Sequence, residues 1–338
     1  MILAAITTHK RKPEMVERAV RSVIAQTYTD WNLVVVDDSP ADWEFRGEVR
    51  KMVEGYAQLD GRIRYVAHDR NYGAQRARNT ALGIAANTHG GGGYEFIAYL
   101  DDDDEWLPEK LEKQLARLEE CGEDTGLVYC NSRVLNDNTG LMRDINNPGY
   151  EGNIHDRLML ENMVGSASFT MLRTKAFADV GDWDEEFESC QDWDMWIRIT
   201  KQYNVAFVNE QLVNYHIHNS GNIGDSVDRY IQGLERILSK NWTYYVDHKY
   251  AHWKSLQYIS RIYCGGGYYK KSFRAFFKAV VLQPLRLWEN FRAICYIVKR
   301  IIKDLMKRYS PKMFYALKGL KQKLKGEDKS WYRQENRH

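Results

Sequence analysis

Cysteine is scarce in this chain and follows no pairing pattern. The five residues, Cys121, Cys130, Cys190, Cys264 and Cys295, are odd in number and include no CxxC pair. That pattern argues against a disulfide framework or a zinc site and fits a reducing cytosol, with each cysteine read as a small buried apolar residue. Long apolar runs are missing too, so no segment reaches transmembrane length. The start, MILAAITTHKRK, places its basic residues after the apolar run, the reverse of a signal peptide, and reads as a first strand. No GxGxxG opens a helix after that strand, which argues against a dinucleotide-binding dehydrogenase. The GGGG at 90–93 precedes a strand and lacks the Lys-Ser/Thr of a phosphate loop. No zinc finger or RNA-binding motif occurs, so nucleic acid is not an expected partner.

What is present suits a folded chain of more than one part. The length of 338 residues is long for one domain and short for three, and 10 Trp, 22 Tyr and 11 Phe supply ample core. Net charge is only +2, but it is unevenly placed. Residues 291–338 hold 14 Lys and Arg against 4 Asp and Glu, a surplus of +10, so the rest carries −8. Such a basic end predicts an anionic partner.

The first part alternates strand and helix. ILAAI (2–6), NLVVV (32–36), RIRYVA (62–67), YEFIAYL (94–100) and TGLVYCNSRV (125–134) read as strands. Between them, helices are predicted from Pro13 to Gln26 and over 43–57, 74–86 and 108–120. This order predicts an α/β fold with a mostly parallel sheet and helices on both faces, with ligands bound beyond the strand carboxyl ends. From about residue 135 the pattern turns irregular, and the 135–175 loops are expected to cover a site. A short helix (174–181), a helix from about Asp192, and strands 205–209 and 212–218 follow.

The acidic segment YLDDDDEW (99–106) stands out. Four carboxylates, Asp101 to Asp104, at the end of a buried strand repel one another, and burial worsens the repulsion. A hard divalent ion, Mg or Mn, completed by phosphate oxygens, would relieve it and would supply metal-assisted chemistry on a phosphorylated substrate. A solvated acidic loop capping the next helix fits the same run taken alone. Asp37 and Asp38 end the second strand, which places two acidic sites on one sheet edge.

In sum these residues resemble the family 2 nucleotide-sugar glycosyltransferases of the GT-A fold, of the bacterial or archaeal surface-polysaccharide type, over roughly 1–220. The motifs fall in family order: ITTHKR, SVIAQTYTDWNLVVVDDSP, NYGAQRARNTAL, YLDDDDEWLPEKLEKQL, CQDWDMWIRI and YHIHNSGN. Departures are Pro40 for the usual Ser, Gln191 where Glu is common, and His216 for Arg. The resemblance implies an inverting transfer from a nucleoside-diphosphate sugar, UDP favoured, to a glycan or lipid-linked acceptor, with Mn or Mg as cofactor. It assigns Asp103 to the metal, with His218 as a further ligand or a packing residue. Thr7, His9, Asp38, Asp101 and Asp102 would bind the nucleotide sugar, Asp38 reading a ring N–H of the base. Arg78 would offer a cation to phosphate, or pair with an acidic loop. Asp192 would be the general base, since an acceptor hydroxyl attacks only as its proton leaves; the other role open to it is a helix cap. Asp194 reads as structural. A catalytically silent nucleotide-sugar scaffold and, behind it, a sugar nucleotidyltransferase are the alternatives.

Three parts are expected: a catalytic domain over 1–222, a helical extension over 223–310 and a basic tail over 311–338. The piece at 250–284 resembles one tetratricopeptide unit, which cannot bury its own face. Over 291–309, Phe291, Ile294, Cys295, Val298, Ile301, Ile302, Leu305 and Tyr309 fall on one helical face, with Lys299, Arg300, Lys303 and Lys307 opposite. That pattern suits an anionic membrane surface met through 291–325, peripheral on the inner face of the cell membrane, and equally a helix packed on its own domain.

Overall fold

The computed structural model describes residues 1–86, 93–218, 226–310 and 315. The Gly run at 90–92, most of the NSGN piece and all of the basic tail but Tyr315 lie outside the described residues. The chain forms two compact units, residues 1–187 with 191–220, and residues 188–190 with 221–338.

The first unit is a three-layer α/β structure. Its elements are β1 (Ile2–Thr8), α1 (Pro13–Ile24), β2 (Trp31–Asp37), α2 (Arg46–Leu59), β3 (Ile63–Ala67), α3 (Ala74–Ala86), β4 (Phe96–Asp101), β5 (Glu105–Trp106), α4 (Lys110–Glu120), β6 (Thr125–Asn136), β7 (Leu141–Ile145), α5 (His155–Leu158), β8 (Thr170–Arg173), α6 (Thr174–Val180), α7 (Gln191–Ile199) and β9 (Asn204–Ile217). The sheet runs β3-β2-β1-β4-β8-β6-β9-β5, with β7 on β6. Strands β1 to β4 pair in parallel, as do β6 and β9, while β8, β7 and β5 pair antiparallel. Strands β1, β2 and β4 are covered on both faces, which is why they read as continuous apolar runs rather than alternating ones. Pro13 sets the first turn of α1, and Val16, Val20 and Val23 on its inner face are fully buried. Burial of those three side chains stabilises by roughly 5 kcal/mol.

The sheet departs from the sequence reading in four places, the first being β7, which lies inside the stretch expected to be loop and pairs with β6. Strand β8 lies inside the stretch expected to be loop and sits between β4 and β6. Its four residues are all buried, but so short a run carries no measurable period. Fully buried Lys110 ties α4 to it, donating to the Thr170 carbonyl at 3.1 Å and to Gln114 at 2.7 Å, and burial pulls its ammonium down to about 7. The two strands expected at 205–209 and 212–218 are one strand, β9, with a bulge. Opposite it, Cys130 pairs with Val208 while Asn131 pairs with Gln211. Strand β5 lies within the acidic segment itself and pairs Trp106 with Val213.

The second unit is helical: α8 (Val227–Lys240), α9 (Trp242–Asp247), α10 (Lys249–Gly265), α11 (Tyr269–Leu282) and α12 (Leu287–Tyr309). Helices α10 and α11 form a hairpin whose turn has Gly267 at φ +82°, and Pro284 follows, the order expected of the 250–284 piece. Ser260 and Ser272 clasp the hairpin, each hydroxyl donating to the other's carbonyl at 2.8 Å. Helix α12 corrects the expectation of one apolar and one basic face. Ile294, Ile297 and Ile301 pack on Cys264 and Phe276, whereas Phe291, Val298, Ile302, Leu305 and Tyr309 stay exposed. Arg300 is turned inward, donating to the Gly265 carbonyl at 3.1 Å and pairing with Asp304 at 3.1 Å. Among the described residues no helix is long and apolar enough to cross a membrane.

Candidate active site

The parallel strands end together. Register sets Thr7 of β1 beside Val36 of β2 and Asp101 of β4, so the segments after these strands share one edge. Thr7 is half-buried there. Lys10 takes a left-handed φ of 54°, costing about 1 kcal/mol, and this turn sends the chain back toward its neighbours. His9 donates its backbone N–H to Asp102 at 3.3 Å and its Nδ1–H to the Asp38 carbonyl at 2.9 Å, and Lys10 N–H reaches Ser39 Oγ at 2.9 Å. One loop thereby joins the ends of β1, β2 and β4.

Asp38 is buried and organises the turn before α3. Its Oδ1 accepts from Tyr72 N–H at 2.8 Å and pairs with His68 Nδ1 at 2.7 Å, while Oδ2 accepts from Gly73 N–H at 2.7 Å. Three of about four lone-pair sites are used, which leaves room for one further donor. Asp38→Ala removes the acceptor of Tyr72 N–H and the partner of His68, while Gly73 N–H keeps Asn71 Oδ1 at 2.9 Å, and is expected to lower stability by about 1–2 kcal/mol, read as a fall in the urea midpoint with an unchanged slope. An unchanged midpoint would show that the turn does not depend on this carboxylate.

Three of the four carboxylates of the acidic run, Asp101, Asp102 and Asp103, are paired with the protein's own cations. Arg11 donates Nε to Asp102 at 2.9 Å and Nη2 to Asp103 at 2.7 Å, and Arg18 donates to the Asp103 carbonyl at 2.6 Å. Asp101 accepts from Arg78 Nη2 at 2.8 Å and from Ser166 Oγ at 3.0 Å. The run is not a solvated loop, since Asp102 and Asp104 are buried. Burial pushes the Asp102 carboxyl up to about 7 despite Arg11, and raises Asp104 well above the usual range together with the charges of Asp103 and Asp101. Burial acts upward on Asp103 as well, but the hydrogen bond from His218 and the Arg11 charge outweigh it and hold this carboxyl low. Asp103 is therefore the member of the buried run best kept ionised.

Strand β9 delivers two histidines to different partners. His218 Nε2 lies 2.9 Å from Asp103 Oδ2. His216 is buried, with Nδ1 2.6 Å from Asp137 and Nε2 3.7 Å from Glu105, so carboxylates hold it rather than a free anion site. Among the described residues no three His, Cys, Asp or Glu side chains converge as a metal cage. An ionised Asp103 with His218 beside it fits an ion held by one protein carboxylate and completed by substrate phosphate oxygens and water.

Helix α3 carries the link to the far side. Gln75, Arg78 and Asn79 share one helical face. Asn79 exchanges two hydrogen bonds with the Trp183 backbone, each 2.9 Å, and Gln75 donates to the Phe187 carbonyl. Arg78 is buried, its guanidinium 5.0 Å from the Trp183 ring centre. Its Nη1 reaches Asp192 at 3.6 Å while Nη2 holds Asp101, so one guanidinium bridges the acidic segment and α7. Asp192 lies within the first turn of α7, and its Oδ2 accepts from Ala167 N–H at 3.4 Å, a residue outside that helix. Burial pushes its carboxyl up to about 6, with Arg78 pulling down and Asp101 pushing up. Asp194 is buried and paired with Arg198 at 2.9 Å, the structural part expected of it.

The sequence reading did not name Arg11, Arg18, His68 or Ser166. Arg11 stands within the quoted ITTHKR motif, just before α1, and Arg18 lies inside α1, so no single period links the two. Ser166 lies in the irregular stretch and carries no periodic signal.

Known proteins resemble this chain in sequence and in fold. The sequence model of the family described as Glycosyl transferase family 2 matches residues 4–181, more than half of the chain. An uncharacterised glycosyltransferase of Methanocaldococcus jannaschii is 25% identical over 292 residues, covering 86% of this chain and 90% of that one. A UDP-Glc:alpha-D-GlcNAc-diphosphoundecaprenol beta-1,3-glucosyltransferase of Escherichia coli is 27% identical over 194 residues, covering 57% and 68%. Residues 1–349 of S. aureus TarS, solved in complex with UDP-GlcNAc, share the fold at a TM-score of 0.59 and 14% identity, covering 91% of each chain.

Proposed function

Because the chain belongs to glycosyl transferase family 2, we propose that it moves a sugar, with inversion, from a nucleoside-diphosphate donor to a hydroxyl of a glycan or lipid-linked acceptor in surface-polysaccharide or glycoconjugate synthesis. UDP is the favoured nucleotide. This choice is supported by the UDP-sugar named for the E. coli relative and the UDP-GlcNAc bound to the structural neighbour. The observation that carries the reading is Asp192, a half-buried carboxyl set one guanidinium away from the acidic segment, with its pKa pushed to about 6. A base with that value is ionised at neutral pH and still takes a proton readily.

In this reading Asp38, His9 and Thr7 receive the base and ribose, and Asp101 and Asp102 border the diphosphate. Asp103, with His218, would hold Mg or Mn, which when bound neutralises charge on the departing diphosphate. Asp192 takes the acceptor's hydroxyl proton as the oxygen attacks the anomeric carbon. The new C–O bond forms as the bond to the diphosphate breaks, and that electron pair leaves on the phosphate oxygen. Attack from the side opposite the leaving group inverts the anomeric centre. Placement on the inner face of the cell membrane, where a lipid-linked acceptor would be met, belongs to the same reading.

The test is a thermal-shift screen with UDP, GDP, dTDP and CMP, each with Mn, Mg or EDTA. UDP at a hundred times its Kd is expected to stabilise by about 2.7 kcal/mol, and EDTA to shrink the shift. No shift with any diphosphate would overturn the reading.

A further inference from the structure

Helix α12 carries two apolar faces, and the helical unit covers only one. Ile294, Ile297 and Ile301 are packed inward. Leu287, Phe291, Val298, Ile302, Leu305 and Tyr309 recur at helical spacing on the adjoining face and are exposed along the length of the helix. The exposure is greatest where α11 turns into α12: Leu285 is 91% exposed, Val281 79%, Leu287 74% and Trp288 66%. Single exposed apolar residues are normal; a continuous row of large ones marks an interaction face. The Trp288 and Phe291 rings stack there with centroids 6.0 Å apart.

Charge decides what that face meets. Arg292 and Lys299, both exposed, follow one another at helical spacing on the Trp288 side of the apolar row, while Lys303 and Lys307 stand farther round the helix. Asp304, which would offset them, is turned inward and held by Tyr269 at 2.8 Å and Arg300 at 3.1 Å. The sequence adds eight more Lys and Arg after Tyr309. We propose that this face of α12, with the α11–α12 turn, lies flat on an anionic lipid surface. The apolar row enters the boundary between headgroups and acyl chains, and the basic row meets the headgroups. Trp288 at the turn suits that interfacial depth. A second copy fits less well, because a two-fold pairing would bring two rows of the same charge into one interface. The inference rests on the membrane-face part of the proposed function and not on the transferase chemistry.

Co-sedimentation of the full chain with phosphatidylcholine vesicles, with and without phosphatidylglycerol, tests it. Binding is expected to need the anionic lipid and to weaken with salt. Arg292→Gln with Lys299→Gln should lower partitioning roughly thirtyfold, from about 1 kcal/mol per charge. Trp288→Ser with Phe291→Ser should abolish it, and since both side chains are exposed, far-UV circular dichroism should not change. Neither pair should alter the UDP-induced thermal shift. No partitioning, or equal partitioning by wild type and both variants, would overturn the proposal. So would a wild-type dimer that Trp288→Ser with Phe291→Ser converts to monomer. Loss of the nucleotide shift with vesicle binding intact would count against the transferase reading instead.

Discussion

Asp192→Asn is expected to lower kcat by a factor of about a hundred to ten thousand while donor affinity stays within about twofold, because a general base acts in the transition state and not in ground-state binding. Release of UDP in the presence of acceptor gives kcat, and the UDP-induced thermal shift gives binding. A kcat within about threefold of wild type would remove Asp192 from the chemistry. The wild-type rate should fall as pH drops through about 6, where burial has set this carboxyl, and the Asn variant should lose that limb. The same shift fixes the sign of a stability effect. Unfolded Asp192 gives up its proton near pH 4 and the folded one near 6, so ionising the half-buried carboxyl costs stability. That cost is absent below the unfolded value, grows as pH rises between the two, and is complete above the folded one. The Asn variant should therefore gain stability relative to wild type over that window, a trade of stability for function.

The parts that were legible in the sequence are those whose signal is local. Strands β1, β2 and β4 announced themselves because both of their faces are buried, so each is a plain apolar run between helical periods. Asp38 and the Asp101–Asp104 run could be placed on one edge because a parallel sheet puts every strand carboxyl end on the same side. His218 does meet Asp103. What could not be read depends on contacts between distant segments. Arg11 and Arg18 lie some ninety residues before the carboxylates and carbonyl they engage, and no helical or strand period links those positions. Strand β8 owes its existence to the edges of β4 and β6, since four residues have no pattern of their own. On α12 the period correctly indicated an apolar face, but which isoleucines it spends on α10 and α11 depends on where those helices lie.

Arg78 is where those distant segments meet, and Arg78→Met should have the second largest effect. The guanidinium is buried between Asp101 and Asp192. Its removal leaves two carboxyls in a poorly solvated place with no counter-charge, a loss on the order of 3 kcal/mol or more. For a unit of this size that lowers Tm by about 6 to 12 °C. A packing defect alone would cost the same at every pH. Loss of the counter-charge would not: the deficit should be smallest at acid pH, where Asp192 holds its proton, and should widen toward neutral pH as that carboxyl is forced to ionise. Because Arg78 pulls the Asp192 value down, its loss should also carry the acid limb of the rate to higher pH, so that the variant regains part of its activity in alkaline buffer. Arg78→Lys keeps the charge but not the two-pronged reach. It should recover most of the stability at neutral pH and little of the alignment between Asp101 and Asp192, leaving kcat low with the rate limb near its wild-type position. An Arg78→Met deficit that is flat across pH, with an unmoved rate limb, would mean that Arg78 only fills space against Trp183.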